Sequence, residues 1–271
     1  MNSAQVQGAA RRAAGSRTLE RLTRLGLACR GVLYGLIGFL ALRIAFGGGS
    51  GGKEADKTGA VETVAEQPFG TVLLWLMVAG FVALTLWQIS EAVLDRGGKV
   101  KDRAEAVARA VTYGLLVATL LGLLLRGDPG NSSDDSSKDL TAMAMDLPGG
   151  RVLVGVVGLG VVALGAHWIH SGWKRKFLDD LRTGEVPPGA RRLAERLGTA
   201  GYLARGVIAV AAGVFVVQAA VTYDPERARG VDSTLRALAD TPAGPWLLGV
   251  VAFGLLLFAA YCFLQARWHR L

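Results

Sequence analysis

Three arginines stand at the same place in three stretches of the chain, each just inside the start of an apolar run. They are Arg30 in Cys29-Arg30-Gly31, Arg109 in Ala108-Arg109-Ala110 and Arg205 in Ala204-Arg205-Gly206. A guanidinium stays charged, and its planar fork of donors matches a phosphate or a carboxylate. At the edge of hydrocarbon such a fork has three uses. It snorkels, laying its methylenes along apolar surface and its head in the interface. It pairs with an acid near the same face, for which Glu91, Glu105 and Glu195 are the candidates. Or Arg30, Arg109 and Arg205 gather into one vestibule that binds an anionic lipid headgroup or a small anionic solute. Modest depth makes snorkelling the expected state; the vestibule is the functional alternative.

Other chemistry is thinner. His167 and His170 lie three apart near the end of the fourth apolar run, beside Trp168 and Trp173. Imidazoles at that spacing suit a metal. With no carboxylate or cysteine joining them, an interfacial aromatic belt explains the cluster better. Cys29 and Cys262 read as small core residues, without disulfide or metal spacing. The sequence carries no nucleophile elbow, phosphate loop or paired intramembrane carboxylate. No catalytic residue and no cofactor are therefore expected.

The elements that hold these residues follow from composition. Half the chain is apolar (51%), only 19% is charged, and mean hydropathy is +0.37. A hydrocarbon core of about 30 Å takes about 20 apolar residues as helix. Six stretches answer to this, near 25–46, 69–92, 105–126, 149–171, 199–223 and 243–266. In lipid the backbone must satisfy itself, so each is a helix. The first is too long for a signal-peptide core and recurs as later units.

The net charge of +8 is distributed by topology. Bases crowd the N-terminus, the second-to-third and fourth-to-fifth connections and the C-terminus, while the other loops are acidic. Bases accumulate on the cytoplasmic side, which predicts a multi-pass cytoplasmic-membrane protein with both termini inside. No zinc spacing or nucleic-acid motif accompanies them, so a nucleic-acid partner is not expected.

Each repeated arginine is followed by a second helix that begins at Pro-x-Gly: Pro68/Gly70, Pro148/Gly150 and Pro242/Gly244. Counting from the proline, Gly80, Gly160 and Gly254 coincide, as do the rings of Trp87, His167 and Tyr261. Before the proline, Val61/Val64, Leu140/Met143 and Leu235/Leu238 predict short helices lying apolar side down in the outer interface. Proline suits the opening of a helix. Small residues after the arginines (Gly31, Ala110, Gly206) permit close packing between repeats. The stretches Gly47–Gly52 and Asp128–Lys138 read as flexible spacers.

The Ala-Arg-Gly pieces (Ala204-Arg205-Gly206, with Cys29 and Ala110 as departures) and Pro68-Phe69-Gly70 resemble the domain of unknown function 1206 family of actinobacterial membrane proteins, over about residues 19–268. The resemblance implies a six-helix integral membrane protein without an assigned activity or catalytic residues. The expected architecture is all-α, with three parallel two-helix repeats about a pseudo-threefold axis along the membrane normal. The division expected is a disordered tail at 1–18, repeats at 19–96, 97–176 and 195–271, and a basic linker at 177–194. The function expected is a non-catalytic scaffold or accessory protein that engages anionic lipids or partner proteins. A transporter or channel for a small anionic solute along the axis is the second reading, and a lipid-modifying enzyme the third.

Overall fold

The computed structural model describes residues 17–46, 54–93, 100–127, 132–178, 186–240 and 243–268. Among them the helices are α1 (Arg17–Ala45), α2 (Lys57–Ala65), α3 (Gly70–Val93), α4 (Val100–Arg126), α5 (Ser133–Met145), α6 (Gly150–Trp173), α7 (Pro188–Thr222), α8 (Val231–Ala239) and α9 (Gly244–Trp268). Six of them, α1, α3, α4, α6, α7 and α9, are long and apolar enough to cross a membrane. The protein is an all-helical, multi-pass membrane protein built from three two-helix repeats. A short helix (α2, α5 or α8) links the long helices of each.

Several boundaries move. Helix α7 has 35 residues, so part of the expected linker at 177–194 is already helix from Pro188 onward. At 1.5 Å per residue α7 is about 52 Å long and overshoots a core of about 30 Å. Most of the proposed spacer at 128–138 is likewise the cap and opening turns of α5, with the Ser132 hydroxyl accepting from the Asp135 amide at 3.1 Å. Of the expected disordered tail at 1–18, Arg17 and Thr18 already belong to α1; residues 1–16, the glycine run at 47–52, residues 128–131 and 179–185, and Pro242 lie outside the described residues.

The most extensive helix contacts join one repeat to the next: α3 with α4, α6 with α7, and α9 with α1. Glycine explains their closeness. A Cβ on Gly31 would stand 3.1 Å from the Ala259 carbonyl oxygen, and one on Gly206 2.8 Å from that of Gly165. These are corresponding positions, so the small residue after the arginine serves packing between repeats.

Within repeats the pattern breaks. Helices α1 and α3 pack together, as do α7 and α9; among the described residues α4 and α6 share no such packing. A Cβ on Gly80 would lie 2.8 Å from the Gly26 backbone, and one on Gly254 2.6 Å from the Ala204 Cβ. At Gly160 a Cβ would meet nothing within 4 Å. The position that corresponds to Gly26 is Glu105, so the second repeat lacks the small partner that the crossing needs. The six helices thus run in space as α6, α7, α9, α1, α3, α4, with the series open between its two ends.

The Pro-x-Gly pieces at Pro68/Gly70 and Pro148/Gly150 are turns rather than helix openings. The Gly70 amide donates to the Gln67 carbonyl and the Gly150 amide to that of Leu147, both at 2.8 Å. Proline holds the second turn position, and Phe69 (φ 64°) and Gly149 (φ 77°) take the left-handed third one, as in a type II turn. The closing glycine is compelled by approach. A Cβ on Gly70, Gly150 or Gly244 would run into carbonyl oxygens at the end of the preceding short helix.

This turn fixes the register of the short helices and corrects one expectation. Val61, Val64 and Leu235 are buried, but Leu140 and Met143 are 67% and 68% exposed. Seven residues before the proline of repeat 2 stands Thr141, and it is Thr141 and Met145 that are buried. The apolar pair visible in the sequence is one residue out of step with the turn.

Candidate functional site

Arg30 on α1 and Arg205 on α7 converge on one ring. The Arg30 guanidinium carbon is 5.0 Å and that of Arg205 4.5 Å from the centroid of Phe258 on α9. Tyr34 lies between them as well, at 5.8 Å and 5.0 Å. Arg205 also stands 4.3 Å over Trp168 of α6 and 5.9 Å from Tyr202. Arg30 donates from Nη1 to the Tyr113 hydroxyl of α4 at 3.2 Å. Phe258 is fully buried and packs edge-on against Tyr34 and Tyr202. An aromatic-walled chamber, with walls from five of the six long helices, thus holds two guanidiniums.

Arg109 takes no part in this chamber; it is exposed on α4. The repeat explains the difference. Arg30 reaches Tyr113, and Arg205 reaches Tyr34; each is the residue four past the arginine in the neighbouring repeat. By the same rule Arg109 would reach residue 209, which is an alanine. Two of the three arginines thus meet at one ring, and the place that matches their tyrosine partner is Ala209 for Arg109.

Among the described residues neither Arg30 nor Arg205 has a carboxylate within ion-pair distance. Glu195, a candidate partner, pairs instead with Arg175. Each cation–π contact is worth about 0.5–2 kcal/mol. Both guanidinium carbons lie near one centroid, so they are less than about 10 Å apart, and two like charges there repel by at least about 1.7 kcal/mol at an effective dielectric of about 20. The rings therefore hold the charges without neutralising them. The depth is intermediate. From Arg30 to the far end of α1 is about 23 Å, and from Arg205 to the end of α7 about 26 Å, at 1.5 Å per residue. Both guanidiniums so lie a few ångströms inside one edge of a core about 30 Å thick.

The histidines build nothing comparable. His167 is within 3.3 Å of the Ser171 hydroxyl, and His170 is exposed at the end of α6. Among the described residues no three His, Cys, Asp or Glu side chains are placed to share a metal. Cys29 and Cys262 are free and buried.

At the opposite end of the bundle, acidic residues at the starts of the short helices bind the three repeats together. The Ala55 amide donates to Asp232 Oδ1 at 2.8 Å, and the Ser233 amide to Asp134 Oδ2 at 2.9 Å. Asp56 caps α2 by accepting from the Gly59 amide at 2.9 Å. Asp56, Asp134 and Asp232 are buried, and Arg236 pairs with Asp232 at 2.6 Å. Burial, then the neighbouring carboxylate of Asp56, lifts Glu54 from 4.5 to about 7. The folded protein therefore keeps a proton between about pH 4.5 and 7 that the unfolded chain has lost. Stability must fall as pH rises through that window and level off above it. Thermal unfolding in detergent is expected to show this slope, and Glu54→Gln to abolish it; an unchanged slope in Glu54→Gln would refute the assignment.

The sequence reading missed the aromatic walls and this seam. One signal was present: Arg30/Tyr34 and Arg109/Tyr113 repeat an arginine and a tyrosine four apart. The seam had no such signal, because its acids at the starts of the short helices stand at unequal distances before Pro68, Pro148 and Pro242.

Comparison with known proteins fits the threefold build. The family model described as Domain of Unknown Function (DUF1206) matches three times, over residues 25–95, 104–175 and 200–269. An uncharacterized protein of Bacillus subtilis (strain 168), YxxB, is 28% identical over 260 residues, covering 93% of this chain and 92% of its own. That likeness lies outside the actinobacteria. No solved structure matches.

Proposed function

The chain belongs to the DUF1206 family, and on that premise we propose that it is a non-catalytic membrane scaffold or accessory protein whose Arg30–Arg205 chamber binds the anionic headgroup of a membrane lipid. The observation that carries this reading is the pair of guanidiniums on one buried ring with no carboxylate beside them among the described residues. The axis beyond supports it over a transport path. Leu33, Ile37, Leu40, Phe81, Leu116, Leu120, Leu248 and Leu255 belong to one continuous buried apolar cluster that extends to Leu235 of α8. A packed core of this kind favours a bound lipid over a transport path.

The test is lipid retention. After purification from a membrane containing phosphatidylglycerol, native mass spectrometry is expected to find that lipid on the protein. The double variant Arg30→Gln/Arg205→Gln should lose at least tenfold in occupancy, and Arg109→Gln should lose little. Equal retention in all three proteins would overturn the proposal.

In this reading both termini and the arginine end face the cytoplasm, following the basic loops, and the membrane is the cytoplasmic one. Ser132 is buried and a poor reporter; Leu140 is exposed on the other side. Leu140→Cys should react with an impermeant maleimide on intact cells, above a background that the buried Cys29 and Cys262 keep low. Labelling only after lysis would reverse the orientation.

A further inference from the structure

The order of the helices leaves one side of the same site less covered than the others. Repeats 1 and 3 close their hairpins, whereas α4 and α6 of repeat 2 do not pack on each other among the described residues. These two helices also carry the least buried spans, at 22% and 17% against 50% for α1, α3 and α9. Each brings one wall residue to the chamber: Tyr113 of α4 accepts from Arg30, and Trp168 of α6 lies under Arg205. Glycine marks the open hairpin on both helices, since a Cβ at Gly114 of α4 or at Gly160 of α6 would meet nothing within 4 Å.

From this we infer that the gap between α4 and α6 is a lateral lipid cleft, in which an anionic phospholipid lays an acyl chain while its phosphate spans the Arg30 and Arg205 guanidiniums. This rests on the headgroup reading above and adds the source of the anion, a bilayer lipid, and its route of entry. Charge and apolarity select the occupant together. Two cations without an acid demand an anion. A cleft walled by helices of high hydropathy gives a soluble anion nothing to hold beyond them, whereas each buried methylene of a lipid chain adds to affinity. A free phosphate would use the chamber alone.

The full chain in phosphatidylcholine nanodiscs provides the test, with two probes. The first is phosphatidylglycerol brominated along its acyl chains, compared with equally brominated phosphatidylcholine. The second is soluble glycerol 3-phosphate, titrated by calorimetry. Bromine quenches indole emission at contact, and the Trp168 share is the difference between the native protein and Trp168→Phe. The brominated phosphatidylglycerol is expected to quench that share at least twice as strongly as brominated phosphatidylcholine. Gly114→Phe, which puts a ring into open space beside Tyr113, should cut the difference at least fivefold and leave glycerol 3-phosphate binding unchanged.

Glycerol 3-phosphate binding that needs Arg30 and Arg205, with equal quenching by the two brominated lipids, would overturn the cleft and leave the anion site standing. Binding of neither probe, or binding indifferent to Arg30→Gln/Arg205→Gln, would overturn both. Should Gly114→Phe fail to fold, the comparison of the two brominated lipids on the native chain still decides.

Discussion

Leucine at Gly80 or Gly254 is expected to destabilise the protein by about 3 kcal/mol or more, and leucine at the corresponding Gly160 to cost nothing or to stabilise by up to about 1 kcal/mol. The three glycines hold one position in the repeat, so composition and helix propensity predict equal effects. Their surroundings do not. A Cβ at Gly80 would press on the Gly26 backbone, which cannot rotate away, and one at Gly254 on the Cβ of Ala204. Either forces two helices apart and forfeits the dispersion contacts along the crossing. At Gly160 the space is open, and replacing glycine removes a poor helix former, worth up to about 1 kcal/mol in the opposite direction. Reversible unfolding in mixed dodecylmaltoside–dodecyl sulfate micelles measures all three. A penalty at Gly160 equal to that at Gly80 would mean that the second hairpin is closed like the others.

Asp232→Ala is expected to cost about 3 kcal/mol, and Asp232→Asn appreciably less. Asp232 is only 4% exposed and serves two partners, the Ala55 amide of repeat 1 and the Arg236 guanidinium of its own helix. Alanine leaves a buried N–H without an acceptor and takes the Asp232 carboxylate away from the Arg236 guanidinium. Asparagine keeps an acceptor for Ala55 and gives up the ion pair. The carboxylate also helps to raise Glu54, so alanine at 232 moves the pH window of stability toward the acid side. Micelle unfolding at pH 5 and pH 8 separates the two effects. An alanine variant as stable as the native protein at both pH values would show that the seam does not hold the repeats together.

Much of this was legible in the residues. The six spans follow from runs of apolar side chains, because a backbone in lipid has no partner except itself. The threefold build follows from Arg30, Arg109, Arg205 and the Pro-x-Gly pieces, whose spacing survives differences in loop length. The reason for that spacing was not legible. The sequence suggests proline as a helix opener, and the structure makes it the second residue of a type II turn whose closing glycine lies against carbonyls of the preceding helix. Leu140 and Met143 misled for the same cause. Hydropathy picks out apolar residues, but the turn sets which face of α5 goes down.

The arginines divide the two kinds of knowledge most clearly. Sequence alone determined that three fixed charges stand near the start of three equivalent apolar runs, since a guanidinium cannot shed its charge and a repeat cannot hide its period. Only the tertiary structure decided that two of them share a ring while the third lies exposed. That outcome depends on what each side chain meets across a repeat boundary: Tyr113 for Arg30, Tyr34 for Arg205 and, at the matching place for Arg109, Ala209. A cation is fixed by the covalent chain, but its neighbours are fixed by the packing of helices far apart in sequence.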